Sequence, residues 1–250
     1  FENFVVLGSR GCPHQCKYCC NQALKKDFPW LRQVRHYSVD YLIRHLKTVA
    51  RIYPCVTSFW IEDDTFFAKS FHEIRDFAEH YRAEVNKPFL ILISPWTHSD
   101  EKVKILVEAG MSRLIMGIQS GSENTTRNLY ARNLSNEKIL KIAYALHAYH
   151  QMEVCYDFIG MNPFESEVDL LNTIRFMRKL PQPFFIFNNN LAFYPGTELF
   201  KMAIQKGLDV QHRIKHADAN VGYSILSIEK LDNKLLHFFL LLMAGKSTQD

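Results

Sequence analysis

The sequence predicts an α/β protein in which a parallel sheet is covered by helices. The 250 residues are 47% hydrophobic, which is enough for one large core. Six short apolar runs recur along the chain, and most are followed by a segment with helical periodicity. Nearly continuous apolar strands are typical of parallel strands buried on both faces, so a six-unit (β/α) barrel and an open doubly wound sheet both fit.

The predicted strands are short runs of apolar, β-branched and aromatic residues, each of ordinary strand length. They span residues 4–7, 57–61, 89–93, 114–118, 154–159 and 184–187. The first strand is followed by a long loop over residues 10–37. Such a loop favours a site at the carboxyl ends of the strands, whether the sheet is closed or open.

Each predicted helix follows a serine, which is a favoured N-cap residue. These serines are Ser38, Ser70, Ser99, Ser135 and Ser166. Ser70 with Glu73, and Ser166 with Asp169, have the spacing of a capping box. Gly110 comes directly after the helix that follows Ser99, at a position where a left-handed residue commonly ends a helix.

The alternation of strands and helices predicts one domain over residues 1–207. From Asp209 it gives way to a polar, His-containing stretch and then to an apolar helix over residues 231–244, so residues 208–250 are predicted to be a C-terminal extension. Apolar residues surround this helix, and we expect it to be buried on two sides, against the first domain or against a domain outside this chain. The chain opens without methionine or a leader, which suggests an excerpt of a longer polypeptide.

The charge and hydropathy patterns bear on nucleic-acid and membrane partners. The 30 basic and 26 acidic residues give a net charge of +4, too small an excess to indicate nucleic acid or anionic lipid. The longest strongly apolar stretch, residues 235–244, is about half as long as a membrane-spanning helix. We therefore expect no membrane span, and no nucleic-acid partner is indicated.

The cysteines are distributed unevenly along the chain. Four of the six lie within residues 12–20, and they are Cys12, Cys16, Cys19 and Cys20. Disulfide scaffolds serve small secreted domains, whereas a tight cysteine cluster in a large apolar-cored chain is typical of metal binding in a reducing compartment. The cluster therefore predicts a metal site, and the cytoplasm is the expected location.

Cys12, Cys16 and Cys19 have the spacing C-x3-C-x2-C, which indicates the type of metal site. Three soft thiolate ligands suit a [4Fe-4S] cluster that keeps one iron open to a small molecule. The alternative is a zinc site completed by Cys20, by His14 or by a ligand from elsewhere in the chain.

With Tyr18 directly before its last cysteine, this loop resembles that of the radical S-adenosylmethionine (SAM) enzymes. The resemblance covers about residues 4–207 and implies a partial (β/α)6 barrel of the TIM type, in agreement with the strand and helix pattern. It implies a [4Fe-4S] cluster and SAM as cofactors. The reduced cluster would cleave SAM to methionine and a 5′-deoxyadenosyl radical, which abstracts hydrogen from an organic substrate.

Four further stretches are similar to the branch that includes the cobalamin-dependent radical enzymes and the oxygen-independent coproporphyrinogen oxidases. They are residues 61–66 (IEDDTF), 117–123 (GIQSGSE), 157–160 (DFIG) and 194–199 (YPGTEL). Residues 160–165 read GMNPFE where this branch typically has Gly-Leu-Pro-Gly-Glu. The resemblance implies the catalytic domain of a cobalamin-dependent methyltransferase or cyclase, with a cobalamin-binding domain N-terminal to it and outside this chain.

The resemblance also implies roles for side chains at SAM. Arg132 is expected at the methionine carboxylate, because guanidinium binds carboxylate through two parallel hydrogen bonds. Asp63 is expected near the methionine amino group, and Gln119 with Asp157 at the ribose. The predicted cofactor-binding set also includes Tyr18 and Ser120.

Structural roles for the same residues remain open alternatives. They are a helix-initiating turn for Asp63, a buried polar network for Gln119 and Asp157, and a solvated helix cap for Arg132. The three asparagines at residues 188–190 would line the substrate cavity or form a strand-end loop. The expected partners are a small-molecule substrate and a one-electron donor such as flavodoxin or ferredoxin. The alternative function is a non-catalytic zinc or electron-transfer iron-sulfur module.

Overall fold

The computed structural model describes residues 3–210 and 224–228. The strands are β1 (Asn3–Val6), β2 (Ser9–Arg10), β3 (Arg35–His36), β4 (Ser58–Ile61), β5 (Phe89–Ile93), β6 (Met111–Gln119), β7 (Glu153–Gly160), β8 (Phe184–Asn190) and β9 (Ser224–Ile228). The α-helices are α1 (Cys20–Asp27), α2 (Val39–Ile52), α3 (Phe71–Glu84), α4 (Asp100–Glu108), α5 (Asn136–His147), α6 (Glu167–Met177) and α7 (Glu198–Gln205). The predicted apolar helix over residues 231–244 lies outside the described residues.

The strand order of the main sheet is β1-β4-β5-β6-β7-β8-β9. Strands β1 and β4, β4 and β5, and β5 and β6 pair in parallel, with Val6 opposite Ile61 and Ile61 opposite Ile91. Strand β9 pairs antiparallel with β8. Strands β2 and β3 form a separate antiparallel pair. Because successive parallel strands are joined through helices, the predicted α/β fold class is confirmed.

The helices begin where the serine caps predict. The side chains of Ser38 and Ser99 each accept a backbone N–H at the start of a helix. Ser70 and Ser166 both form complete capping boxes, with Glu73 and Asp169 respectively. After α4, Gly110 adopts a φ of +104°, the left-handed conformation expected there.

The structure also contains elements that the hydrophobic periodicity does not predict. Strands β2 and β3 are two residues each, too short to show an alternating pattern. Helix α1 contains one buried residue, Ala23, so it has almost no apolar stripe. The asparagines at 188–190 are the last three residues of β8, and they run from buried to exposed.

The chain divides into two compact units. Among the described residues, unit 1 holds those up to Pro13 together with Arg32–Gly117 and Ala145–Cys155. Its core includes an aromatic cluster of Phe66, Phe77, Tyr81 and Phe89, whose neighbouring ring centroids are 4.6 to 5.9 Å apart. Burial of such rings is the main stabilising contribution in a core of this kind.

Unit 2 holds His14–Leu31, Ile118–Tyr144 and the described residues from Tyr156 onward. Its core cluster consists of Tyr130, Ile159, Leu191, Phe193, Leu199, Ala203 and Val210. Across both units, every helix of the described residues is too short or too polar to cross a membrane.

Candidate cofactor site

The cysteine motif lies in the loop between β2 and α1. Cys16 is buried, Cys12 and Cys19 are half-buried, and Cys20 is exposed as the first residue of α1. The backbone N–H of Cys19 donates to the carbonyl of Cys16 at 3.1 Å, which gives the loop a tight turn. None of the six cysteines forms a disulfide, so their sulfur atoms are thiols.

Arg132 is a buried cation beside this loop in unit 2. It is 8% exposed, and its Nη1 lies 3.6 Å from Cys16 Sγ and donates to Tyr18 Oη at 3.3 Å. Burial by itself would lower the pKa of Arg132, but the neighbouring Tyr18 and Cys16 raise it above its usual value. The position of Arg132 beside Cys16 is therefore not a solvated helix cap.

Tyr18 connects the cysteine loop to the core of unit 2. Its ring packs edge-on against Tyr130, with centroids 4.8 Å apart. The Tyr130 hydroxyl accepts from Asn162 Nδ2 at 3.0 Å. The backbone carbonyl of Tyr130 accepts from the N–H of Lys17 at 3.1 Å. Burial raises the pKa of Tyr18 well above its usual value, although Arg132 opposes the shift, so Tyr18 stays a neutral phenol. Tyr130 thus contacts both the loop backbone at Lys17 and the ring of Tyr18.

A polar triad lies on β6, β7 and β8 of unit 2. Asp157 accepts from Gln119 Nε2 at 2.8 Å through one oxygen and from Asn189 Nδ2 at 2.7 Å through the other. Burial raises the pKa of Asp157 to about 6, although both amide donors oppose the shift. Gln119 has a φ of +75°, an unusual conformation for a residue with a side chain, which is typical of functional sites.

Ser120 belongs to a second polar group of unit 2. Its hydroxyl donates to Glu165 Oε1 at 2.9 Å and lies 3.0 Å from Thr173 Oγ1. Burial raises the pKa of Glu165 to about 7. A Cβ on Gly121 would lie 2.5 Å from the Phe176 Cβ, so only glycine permits this approach of the chain to α6. Ser120 is therefore part of the packing contact between the end of β6 and α6.

Asp63 lies at the end of β4 in unit 1, with its side chain fully buried. Its Oδ1 accepts the backbone N–H groups of Gly8 and Ser9 at 2.6 and 2.7 Å. Its Oδ2 forms a buried ion pair with Lys69. Both carboxylate oxygens are thus engaged within the protein, and the predicted contact of Asp63 with the methionine amino group stays a prediction.

The sequence predicted Arg132, Tyr18 and Cys16 as site residues, and the structure brings these three together. It also brings Gln119 and Asp157 together. Sequence reasoning missed Tyr130, Asn189 as a partner of Asp157, and Lys69. Lys69 gives one signal in the sequence, since a lysine directly after Phe66, Phe67 and Ala68 is surrounded by residues that prefer burial.

Among the described residues, no three His, Cys, Asp or Glu side chains lie close enough together to bind one metal ion. An iron-sulfur cluster places a different demand on its ligands, because each thiolate binds its own iron and the sulfurs need not converge on one point. The three thiols of the motif, one of them 3.6 Å from a guanidinium, are a donor set of the kind that such a cluster requires.

Comparison with protein families gives one match. The model described as the Radical SAM superfamily matches residues 6–177, which is more than two thirds of the chain. The matched segment includes the cysteine motif and most of the side chains described above. No curated protein sequence matches the chain.

Several solved structures share the fold at low sequence identity. The methyltransferase TsrM from Kitasatospora setae, described as a radical SAM enzyme with tryptophan and a SAM analogue bound, has a TM-score of 0.66 at 11% identity. That match covers 81% of this chain and 39% of TsrM. Coproporphyrinogen III oxidase (HemN) from Escherichia coli has a TM-score of 0.61 at 18% identity, covering 97% of this chain and 53% of HemN.

A third structure is OxsB, described as a cobalamin-dependent SAM radical enzyme with aqua-cobalamin and SAM bound. It has a TM-score of 0.59 at 17% identity, over 85% of this chain and 30% of OxsB. The chain thus spans about a third to a half of the length of these structures. At these identities the likeness shows the fold, and it confirms the predicted partial (β/α)6 fold class.

Proposed function

Because the chain belongs to the Radical SAM superfamily, we propose that it is an enzyme that generates a 5′-deoxyadenosyl radical and abstracts hydrogen from an organic substrate. Membership of this family implies a [4Fe-4S] cluster and SAM as cofactors. The cluster supplies the electron that cleaves SAM, and the radical chemistry belongs to this cofactor pair. Cys12, Cys16 and Cys19 are the proposed cluster ligands.

The contact of Arg132 with Cys16 and Tyr18 supports this proposal most directly. The guanidinium of Arg132 is buried and lies 3.6 Å from the sulfur of a proposed cluster ligand. The same cation suits the carboxylate of a ligand that approaches the loop, because it presents several donors in a planar fork. Arg132 is therefore the proposed partner of the methionine carboxylate.

The polar triad supplies the remaining contacts proposed for SAM. Asp157 is held by Gln119 and Asn189 and has acceptor capacity left on its carboxylate, since each oxygen carries two lone pairs. A ribose diol needs such acceptors and donors side by side. We assign the ribose to Gln119 and Asp157, with Ser120 supporting the turn after β6 and Tyr18 positioning the loop.

The finer proposal is that the chain is the catalytic domain of a cobalamin-dependent methyltransferase or cyclase. Its support is the fold shared with TsrM and OxsB, both described as cobalamin enzymes or with cobalamin bound. Cobalamin would then be held mainly by an N-terminal domain, and a flavodoxin or ferredoxin would supply the electron. Titration of the full polypeptide with hydroxocobalamin, followed by visible absorbance, tests this proposal. The cytoplasmic location stays a prediction.

Anaerobic reconstitution with iron and sulfide tests the enzyme proposal itself. We expect about four irons and four sulfides per chain, the content of a [4Fe-4S] cluster, and release of 5′-deoxyadenosine after reduction with SAM present. Tight binding of zinc without SAM cleavage would replace the proposal with a structural zinc module. A cluster that neither binds nor cleaves SAM would replace it with an electron-transfer module.

A further inference from the structure

The segment that leads into the cysteine loop is held at several points within unit 1. Ser9 and Arg10 form β2 and pair with His36 and Arg35 of β3, so the two ends of the loop meet in a short antiparallel ladder. The carbonyl of Gly8 accepts from the N–H of Tyr37 at 3.1 Å. These contacts form a stem that closes the loop over residues 11–34.

The side chain of Asp63 also contacts this stem. The carboxylate accepts from two successive backbone amides, those of Gly8 and Ser9, through the same oxygen. A Cβ on Gly8 would lie 3.0 Å from Leu42 Cδ2 and 3.3 Å from both carboxylate oxygens, so the chain passes close to the carboxylate. Hydrogen bonds from N–H groups to a charged acceptor are stronger than neutral ones, and here they fix a backbone segment three residues before Cys12.

Lys69 pairs with this carboxylate in a buried environment. The Lys69 side chain is 4% exposed and the Asp63 side chain is 0% exposed. The ammonium also lies 4.3 Å from the centre of the Phe66 ring. Burial lowers the pKa of Lys69, and Asp63 opposes that shift. The Lys69 carbonyl in turn accepts from Lys102 Nζ at 2.6 Å, so the turn that carries Lys69 is itself anchored.

From this geometry we propose that Asp63 and Lys69 form a charged clamp that positions the cysteine loop for cluster binding, so Asp63 acts through the Gly8–Ser9 backbone rather than by contact with SAM. The inference rests on the proposed function and adds two positioning residues to it. Both oxygens of Asp63 have partners inside the protein. The clamp therefore accounts for a fully buried aspartate at the end of β4.

Two double variants separate the clamp from a direct SAM contact. Both D63N/K69M and D63L/K69M remove the buried charges, but only asparagine retains an oxygen that accepts from Gly8 and Ser9. Ile74→Ala, which opens a cavity in α3 where the side chain is fully buried, serves as the control for lost stability. The measurements are hydrogen exchange at the Gly8 and Ser9 amides, iron content after anaerobic reconstitution, and SAM affinity of the iron-loaded protein.

We expect D63N/K69M to keep slow exchange, to load iron as the wild type does and to bind SAM within about twofold of it, since Asp63 makes no contact with SAM. We expect D63L/K69M to exchange the Gly8 and Ser9 amides at least about tenfold faster, because a hydrogen bond worth about 1.5 kcal/mol corresponds to that factor. Its iron content should fall by at least half, while Ile74→Ala loads iron normally.

Two results would overturn the clamp. One is a D63N/K69M protein that loads iron fully but binds SAM at least tenfold more weakly, which would place Asp63 at SAM. The other is a D63L/K69M protein in which either the amide exchange or the iron content is unchanged. If even the wild type takes up no iron, the proposed function fails, and the exchange measurement still decides whether Asp63 fixes the stem.

Discussion

Unit 1 and unit 2 each contain a buried cation, and the two cations have different kinds of partner. Lys69 in unit 1 forms a buried ion pair with the carboxylate of Asp63. Arg132 in unit 2 contacts the Cys16 sulfur and the Tyr18 hydroxyl. The first pair is complete without a ligand and is suited to hold backbone in place. The second contact joins a cation to a sulfur and a hydroxyl, and it lies beside a proposed cluster ligand.

The test with the largest expected effect removes the thiols of the cysteine motif, of which Cys16 contacts Arg132. Replacing Cys16 with Ala should lower the iron content from about four per chain to less than one, because a cube with three protein ligands tolerates no further loss. Cys12→Ala and Cys19→Ala should do the same. Iron and sulfide analysis after anaerobic reconstitution measures the effect.

Cys20→Ala is the matched control, because Cys20 is exposed and adjacent to a proposed ligand. It should load iron normally. Loss of iron in Cys20→Ala together with full loading of Cys19→Ala would shift the motif by one residue and contradict the ligand assignment.

The second test compares the two cations by protein stability. Lys69→Met leaves the Asp63 carboxylate buried without its partner and should lower the free energy of unfolding by about 3–5 kcal/mol. Arg132→Met removes contacts with the Cys16 sulfur and the Tyr18 hydroxyl rather than with a carboxylate, and it should cost less than Lys69→Met. Urea unfolding of the metal-free proteins measures both values. An Arg132→Met protein that is as unstable as Lys69→Met would show that the two cations have equivalent structural roles.

The third test concerns the affinity for SAM. A hydrogen bond to a charged group contributes about 1.5–3 kcal/mol, so Arg132→Ala should weaken SAM binding by roughly ten- to a hundredfold. Arg132→Lys should recover little of that loss, because an ammonium keeps the charge but not the planar fork. Calorimetry under anaerobic conditions, at matched cluster content, measures both variants. Equal affinities for wild type and Arg132→Ala would remove Arg132 from the SAM site.

The smallest expected effect is the pH dependence of the polar triad. The pKa of Asp157 is raised to about 6 by burial, so between about pH 4 and pH 6 the folded chain holds this proton while the unfolded chain has lost it. The contribution of Asp157 to stability therefore falls as the pH rises through this window and stays constant above it. The change in unfolding free energy is at most about 2–3 kcal/mol, because each pKa unit corresponds to about 1.36 kcal/mol. Contact of the half-buried Asp157 with solvent makes the change smaller.

Asp157→Asn isolates this contribution from that of Glu165, whose pKa is also raised by burial, to about 7. The difference in unfolding free energy between wild type and Asp157→Asn should change in favour of the variant from pH 4 to pH 6. A difference that does not vary with pH would show that Asp157 has an ordinary pKa in the folded protein.

Local features of the fold could be predicted from the sequence because they depend on residues close together in the chain. The capping boxes at Ser70 and Ser166 are set by residues three positions apart, and both are present. The six apolar runs all became strands of the main sheet. Strands β2 and β3 were missed because two-residue strands carry no periodicity, yet their pairing closes the loop that contains the cysteine motif.

The sequence by itself determined the α/β fold class, the helix starts and the cysteine motif, since each is encoded in periodicity, capping residues or spacing within one segment. Only the tertiary structure decided which side chains share a site. Arg132 and Cys16 are 116 positions apart, and Gly8 and Asp63 are 55 apart. Contacts of that separation depend on how strands and helices pack, and burial then decides whether a charged group binds a ligand or supports the backbone.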